Sequence, residues 1–404
     1  MVDLAAVKDR IDQVVDDHAE VLLAASHDIH AHPELGFAEH HAHEVLTRML
    51  EDAGLSVTRR AYGLETAFEA TAGSSDGPTV AVLCEYDALP GIGHACGHNV
   101  IGTAGVGAGI AAAAVAEELG GRLVVLGTPA EEGGGGKIFL AQEGAFEGVD
   151  AALMVHPAGM DLSRFGAIAI QQVEVTYHGK AAHAAAAPQA GRNALDAAVL
   201  GYVNVAALRQ HIRPDERVHG IFTEAGEAAN VVPDRAAATW YVRSPTVRGL
   251  EKLKARVLAC LEAGASASGC TMEHHWVDPA FANMVDNDPM IERYRANLAR
   301  TGRTLVDPSA MDAVVGSTDM GNVSHIVASI HPMIAVSPPD VAIHTKDFVR
   351  FAGGDEGDRA VLDGAKAMAA TVADLWAEPG ALDEAKAAFA EARESGRATG
   401  RPTI

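Results

Sequence analysis

Thr79-Val80-Ala81-Val82-Leu83-Cys84 runs into Glu85-Tyr86-Asp87-Ala88-Leu89-Pro90-Gly91-Ile92-Gly93-His94-Ala95-Cys96-Gly97-His98-Asn99, and a small-residue segment follows from Val100 to Leu119. An apolar β-branched run, a loop rich in glycine and a long Ala/Gly segment read as strand, loop and helix. That parse puts Cys96 and His98 beyond the carboxyl end of a strand, where open α/β sheets bind their ligands. A thiol and an imidazole one residue apart, with carboxylates close by, are the beginning of a metal site.

Outward from this stretch, strand-like runs at Glu69–Ala72, Thr79–Cys84, Arg122–Gly127 and Ala151–Val155 alternate with helix-like ones. Such alternation predicts an α/β domain with a largely parallel sheet. The strand ends read Glu85-Tyr86-Asp87, then Thr128-Pro129-Ala130-Glu131-Glu132, then His156-Pro157. Three strands thus deliver carboxylates and an imidazole to one rim. Upstream, residues 5–25 have the apolar spacing of one amphipathic helix. The histidine-dense segment from Ser26 to His41 is broken by Pro33 and Gly36, and a second helix runs on to Asp52. Its histidines read as surface groups or neighbours of the site, and none is chosen as a ligand.

From Gln171 the pattern changes. Strand-like Val173–Tyr177, helical Asn193–Gln210, strand-like His219–Thr223 and Ala236–Val242, helical Val247–Ala263 and strand-like Thr271–Val277 follow in order. This is the split βαβ, ferredoxin-like unit, inserted into the first domain. The expected organisation is residues 1–170 and 283–404 for a discontinuous catalytic domain, and 171–282 for the insertion. The resumed chain carries Pro332-Met333-Ile334-Ala335-Val336, reaches Ile343-His344-Thr345, and forms a helix from Arg359 to Trp376. A tail from Gly380 holds one Ala/Glu helix, expected to be peripheral.

Bulk properties agree. At 404 residues the chain exceeds the size at which single cores stop growing. Hydrophobic residues make up 48% and charged residues 21%, ordinary globular usage. A net charge of −23 argues against nucleic acid or anionic membrane as partner, since phosphates would be repelled. Four cysteines in so long a chain make no disulfide framework. Met1-Val2-Asp3-Leu4 lacks a basic start followed by an apolar run, and Val100–Val115 is too short and glycine-rich to span a bilayer comfortably. The expectation is a cytoplasmic protein.

Cys96, His98, Glu132 and His156, with His344 closing the rim from far along the chain, make a borderline-soft donor set. It suits Zn²⁺ first, with Mn²⁺ or Co²⁺ as neighbours. Five donors exceed one tetrahedral ion, so two ions sharing a bridge are expected. Each strand-end histidine by itself reads as a hydrogen-bonded core residue; gathered on one rim they read as ligands. Adjacent carboxylates in a loop can point different ways, so Glu132 can bind metal while Glu131 holds the attacking water, takes its proton and passes it to the leaving amine. The glycines after them are no phosphate loop, because Lys137-Ile138 lacks the Lys-Ser/Thr ending.

The Tyr86-to-Pro90 run, His94-Ala95-Cys96-Gly97-His98-Asn99, Glu131-Glu132-Gly133-Gly134 and Val155-His156-Pro157 together resemble the amidohydrolase branch of peptidase family M20. Gly316-Ser317-Thr318-Asp319-Met320-Gly321-Asn322-Val323-Ser324 and Ile330-His331-Pro332 look most like its subgroup of Xaa-Arg/β-alanyl-lysine dipeptidases and aminobenzoyl-glutamate hydrolases, and Asn99 in place of the branch's usual aspartate fits that subgroup. The resemblance implies a zinc-exopeptidase-like, mostly parallel sheet flanked by helices, with an inserted ferredoxin-like lid and dimerisation domain, and a homodimer formed through it. It places the metal ligands on Cys96, His98, Glu132, His156 and His344, with Cys96 as the bridge. Glu131 falls on the general base and Asp87 on the residue that orients a ligand. His183 falls on the histidine that polarises the scissile carbonyl, and Asn230 and Arg243 on the residues that grip a substrate carboxylate. Apart from the resemblance, Arg243 reads equally well as a surface ion pair and Asn230 as a turn residue.

The activity this implies is metal-dependent hydrolysis of an amide next to a free carboxylate, in dipeptides, with a basic C-terminal residue as one candidate. The alternative substrate is an N-acyl or aminobenzoyl amino acid. From other classes come a non-catalytic metal-binding dimeric scaffold and a thiol enzyme using Cys96 as nucleophile.

Overall fold

The computed structural model describes residues 2–308 and 315–402. Ala167–Asn283 form one compact unit, and the chain on both sides of that segment forms the other.

In the discontinuous unit, β1 (Ser56–Arg59), β2 (Phe68–Gly73), β3 (Thr79–Cys84), β4 (Arg122–Gly127), β5 (Ala151–Leu153) and a sixth strand, Ala328–Ile330, form one sheet. Its order is β1-β2-β4-β3-β5 followed by Ala328–Ile330; β2 pairs antiparallel with both β1 and β4, and from β4 onward the pairings are parallel. Every residue of β3 is buried, as befits a central parallel strand covered on both faces. Fully burying one of its valines contributes roughly 1.5–3 kcal/mol.

The helix His98–Leu119 lies against β3 and β4 because its face is stripped of side chains. A Cβ on Gly105 would sit 2.5 Å from Cys84 Sγ, and one on Gly109 the same distance from Val125 Cγ2. Although long and apolar enough to cross a membrane, this helix has most of its residues buried inside the protein. The helix Asp355–Ala377 packs along it.

The expected single N-terminal helix is two, Leu4–Asp17 and Ala19–Ala31. They part at His18, whose Nδ1 lies 2.8 Å from the carbonyl of Val14 and competes with the helix ladder. The tail helix Ala381–Glu394 is not peripheral: Ala381 and Ala385 are fully buried, and Asn287 Nδ2 donates to Ala385 O at 2.8 Å.

In the inserted unit an antiparallel sheet has the order Thr271–Phe281, Ala169–His178, Arg235–Ser244, Arg217–Glu224. Strand Ala169–His178 alternates strictly between buried and less buried positions, and Val173, Val175 and Tyr177 meet Leu250, Leu253, Val257 and Leu261 in a core with Trp240. The helices Ala194–Leu208 and Val247–Ala267 supply that second layer, in the β-α-β-β-α-β order of the ferredoxin-like unit.

Candidate metal centre

The rim beyond β3, β4 and β5 collects five donors. Gly97, at φ +76°, lets the chain turn from the Cys96 loop into the helix that begins with His98. His98 is fully buried; its Nδ1 lies 3.0 Å from Asp87 Oδ1, and its Nε2 finds no hydrogen-bond partner. A proton held on Nδ1 by Asp87 leaves the Nε2 lone pair free, the arrangement a metal-binding imidazole needs. Asp87 Oδ2 also accepts the Glu132 N–H at 2.9 Å, so one carboxylate fixes both a ring and the loop bearing its neighbour donor.

His156 is held in the same way. Its Nδ1 lies 2.8 Å from Pro157 O, which turns Nε2 toward Cys96 Sγ at 3.4 Å. His344 closes the site from far along the chain, its Nε2 3.3 Å from Cys96 Sγ and 3.4 Å from Glu132 Oε1. It sits in the left-handed region at φ +64°, with its N–H donating to Ala95 O at 2.8 Å. Such a conformation costs a non-glycine residue about 1 kcal/mol or more and persists where surroundings over-determine it.

These donors form two triads. Cys96, His98 and His156 have ligand atoms within 4.8 Å of one another, and so do Cys96, Glu132 and His344. Cys96 Sγ is common to both. Sulfur, imidazole nitrogen and carboxylate oxygen fit Zn²⁺ or a divalent neighbour; burial opposes a charge on His98, but Asp87 and Cys96 raise its pKa, and a cation bound there would take the place of the proton on the partnerless Nε2.

The electrostatics separate the two adjacent carboxylates. Burial opposes the charge of Glu132, but His344 and His98 hold its pKa below the ordinary value. Glu131, with Oε2 4.0 Å from His98 Nε2, is pushed well above it by burial and by the charges of Glu85, Glu132 and Asp319. A carboxylate whose proton affinity is raised is suited to accept a proton in catalysis. Burial also pushes the Cys96 thiol well up, with Glu132 adding to it. His156 drops to about 4 through burial and remains a neutral donor.

The loop carrying Glu131 is built under strain. Ala130 adopts φ +59°, and a Cβ on Gly36 would come within 2.9 Å of the Ala130 Cβ. Buried Glu39 steadies the turn by accepting from Ala130 N at 2.8 Å, Phe37 N at 3.0 Å and Thr66 Oγ1 at 2.8 Å, and burial raises its pKa to about 7. Neither Glu39 nor the buried Glu85, Lys137, Asp319 and His331 was singled out by chemistry in the sequence. The available signal was the ionisable residues flanking the strand-end motifs.

In the histidine-rich segment, Asp28, His32 and His41 meet at the surface, His27 Nε2 lies 2.6 Å from Asp358 Oδ1, and His30 Nε2 lies 2.8 Å from Val349 O. In the inserted unit the structure brings His183 and Asn230 together, with Ala184 N donating to Asn230 O at 3.0 Å. His183 Nδ1 accepts from Ala185 N and Ala186 N, both at 3.2 Å, so the exposed imidazole keeps its proton on Nε2 as a donor. Arg243 does not join them. It lies near the far end of strand Arg235–Ser244, with Cζ 5.8 Å over the Tyr241 ring.

The sequence profile of peptidase family M20/M25/M40 matches residues 79–374. The chain is 39% identical over 401 residues to Xaa-Arg dipeptidase of Mus musculus, covering 96% of this chain and 93% of that one. It is 31% identical over 452 residues to a p-aminobenzoyl-glutamate hydrolase subunit of Escherichia coli K12, covering 93% of each. Among solved structures, a dinuclear metal-binding M20 peptidase from Bacillus subtilis superposes with a TM-score of 0.70 at 21% identity, over 88% of this chain and 98% of its own. An aminobenzoyl-glutamate utilization protein from Klebsiella pneumoniae does so with a TM-score of 0.66 at 20% identity, over 90% and 98%. The rim of donors, the sheet that carries it and these likenesses agree: the chain is a hydrolase of amide bonds and belongs to peptidase family M20/M25/M40.

Proposed function

We propose that this protein is a dipeptidase that cuts the amide next to a free C-terminal carboxylate, with arginine or lysine as the C-terminal residue. The observation that carries the reading is the pair of ligand triads meeting at Cys96 beside Glu131. The 39% likeness to an Xaa-Arg dipeptidase supports the substrate class. A net charge of −23 supports it further, since a negative field draws in cationic substrates.

Cys96, His98, Glu132, His156 and His344 would hold two divalent cations, Zn²⁺ by preference. Bound there, the cations supply Lewis acidity, which polarises a carbonyl and lowers the pKa of water. Glu131 accepts the proton of the attacking water and delivers it to the departing amine, so water is added across the C–N bond and an acid and an amine leave. Asp87 keeps the His98 ring and the Glu132 backbone in place throughout. His183 donates from Nε2 to the oxygen that gains charge, a contact worth roughly 3 kcal/mol where such donors have been removed. Asn230 and Arg243 bind the substrate carboxylate, Arg243 through its two-pronged fork.

The free cysteines suit a reducing cytoplasm as the working compartment. A homodimer is proposed through the inserted unit, whose edge strand Arg217–Glu224 exposes Ile221 at 68% and Phe222 at 40%, with Tyr202 and Val203 exposed on the adjacent helix.

A second reading keeps the chemistry and takes aminobenzoyl or other N-acyl amino acids, supported by the 31% likeness to an aminobenzoyl-glutamate hydrolase chain. One experiment decides. Metal-free protein is reloaded separately with Zn²⁺, Mn²⁺ and Co²⁺ and assayed in parallel on Xaa-Arg, Xaa-Lys and Xaa-Glu dipeptides, aminobenzoyl-glutamate and N-acetyl amino acids. Highest kcat/KM on the basic dipeptides is expected. Preference for the acylated amino acids transfers the assignment to the second reading, and full metal loading without turnover on any of them leaves a binding scaffold.

A further inference from the structure

Beneath the donor rim lies a buried ion cluster that the chemistry above does not use. Lys137, Glu85 and Asp319 are all fully buried. Lys137 Nζ is 2.5 Å from Glu85 Oε1 and 2.6 Å from Asp319 Oδ1, and Lys137 N donates to Asp319 Oδ2 at 2.9 Å. Asp319 thus grips the lysine at both backbone and side chain. Burial opposes the charge on Lys137, yet Asp319, Glu85 and Glu131 raise its pKa, so it stays a cation.

The glycine run explains how a lysine gets there. Gly135 turns at φ +72°, and a Cβ on Gly136 would fall 1.8 Å from Pro129 O. Only a residue without a side chain lets the loop fold back on itself and start the short helix Gly136–Gln142 under Glu131 and Glu132.

Glu85 faces two ways. Oε1 is ion-paired with Lys137, neither oxygen makes a hydrogen bond, and Oε2 lies 3.6 Å from His98 Nε2, the nitrogen aimed at the donor rim. Glu85, His98 and Glu131 have ligand atoms within 4.8 Å of one another, a third triad of the same kind as the two that meet at Cys96. A carboxylate at that distance is a competing ligand unless something holds it back.

We propose that Lys137 is a positioning residue that restrains Glu85 from the metal centre, with Asp319 as its anchor, and so keeps the place beside Glu131 open. Lys137 acts through Glu85 and touches no reacting atom. The proposal rests on the dinuclear-hydrolase reading of the site; a wild-type protein that neither binds two ions nor hydrolyses amides fails that reading, not this one.

The test compares K137Q, E85Q and the double variant K137Q/E85Q in the full-length protein, loaded with Co²⁺ so that the visible absorption reports coordination. In K137Q, kcat is expected to fall roughly 10- to 100-fold, the range seen when groups supporting metal ligands are lost. KM stays within about twofold, and the cobalt spectrum changes as Glu85 joins the ion. In K137Q/E85Q the wild-type spectrum returns and kcat recovers to within about threefold. A purely structural lysine would instead lower the melting temperature of K137Q and leave its spectrum as in wild type, which overturns the proposal, as does a double variant as slow as K137Q. Should K137Q not fold, E85Q alone still decides: an unchanged cobalt spectrum is expected, and a changed one means Glu85 already binds the ion in the wild type and the restraint does not exist.

Discussion

The Cys96–His98–His156 triad and the Asp28–His32–His41 triad share one outward recipe: two imidazoles and one further donor, with ligand atoms within 4.8 Å. Their surroundings differ. At the surface, the side chains of Asp28, His32 and His41 are 42%, 60% and 39% exposed, and Asp28 satisfies both histidines, at 3.1 Å to His32 Nδ1 and 2.8 Å to His41 Nε2. At the rim, His98 and His156 are buried, each is locked through Nδ1, and His98 Nε2 has no partner. An orphaned buried polar atom costs about 1–3 kcal/mol of folding free energy. A fold retains it where a ligand completes it, whereas a surface cluster that satisfies itself asks for nothing. Proximity of ligand types is common to both places; burial with an unmet lone pair belongs to one.

The contrast is sharpest at Glu131, which lies among the buried donors. E131Q should lower kcat by roughly 10²- to 10⁴-fold, the contribution of a positioned general base. Two ions per chain should remain, because Glu132 and the four other donors are untouched. Steady-state kinetics with elemental analysis of the same sample checks both, and a variant that keeps its activity removes Glu131 from the base role.

Burial without a ring of donors should act on stability alone. Asp286 is such a case: burial lifts its pKa to about 7, partly opposed by Arg164, and Oδ1 has no hydrogen-bond partner. The folded value lies above the unfolded one, near 3.9, so this carboxyl favours folding fully below the unfolded value and loses that contribution as pH rises through about 7. D286N should therefore gain about 1–3 kcal/mol over wild type at pH 8 and little near pH 4. Urea denaturation of metal-free protein at the two pH values reads it, and an equal difference at both would show that Asp286 is not protonated on folding.

The smallest effect is expected at the surface. Replacing His32 and His41 together by alanine should leave metal stoichiometry and kcat/KM as in wild type and change stability by no more than about 0.5 kcal/mol, as for exposed ion pairs generally. A third tightly held ion lost in that variant would erase the contrast.

How far the site could be read in advance follows from the same physics. Glu131, Glu132 and His156 sit within a few residues of strand ends, and Cys96 and His98 lie at the far end of the loop that leaves Thr79–Cys84, so such runs point to the rim where the candidate ligands gather. His344 needed only the next strand's end as a guide. Nothing local tells that Lys137 meets Asp319, 182 residues away, or that the glycines exist to bring it there. Nor does local pattern tell that Asn230 falls in a turn beside His183 while Arg243 falls near the end of strand Arg235–Ser244, or that the Ala/Glu tail helix buries Ala381, Ala385 and Ala392 against the domain.

The sequence by itself determined the α/β alternation, the inserted ferredoxin-like order and the candidate donors, because hydrophobic period, turn chemistry and ligand type are properties of short segments. Tertiary structure alone decided which histidines lose water, which lone pairs are left unmet, and which cation sits against Glu85. Those outcomes depend on burial and on distances between residues far apart in the chain, and no short segment carries either.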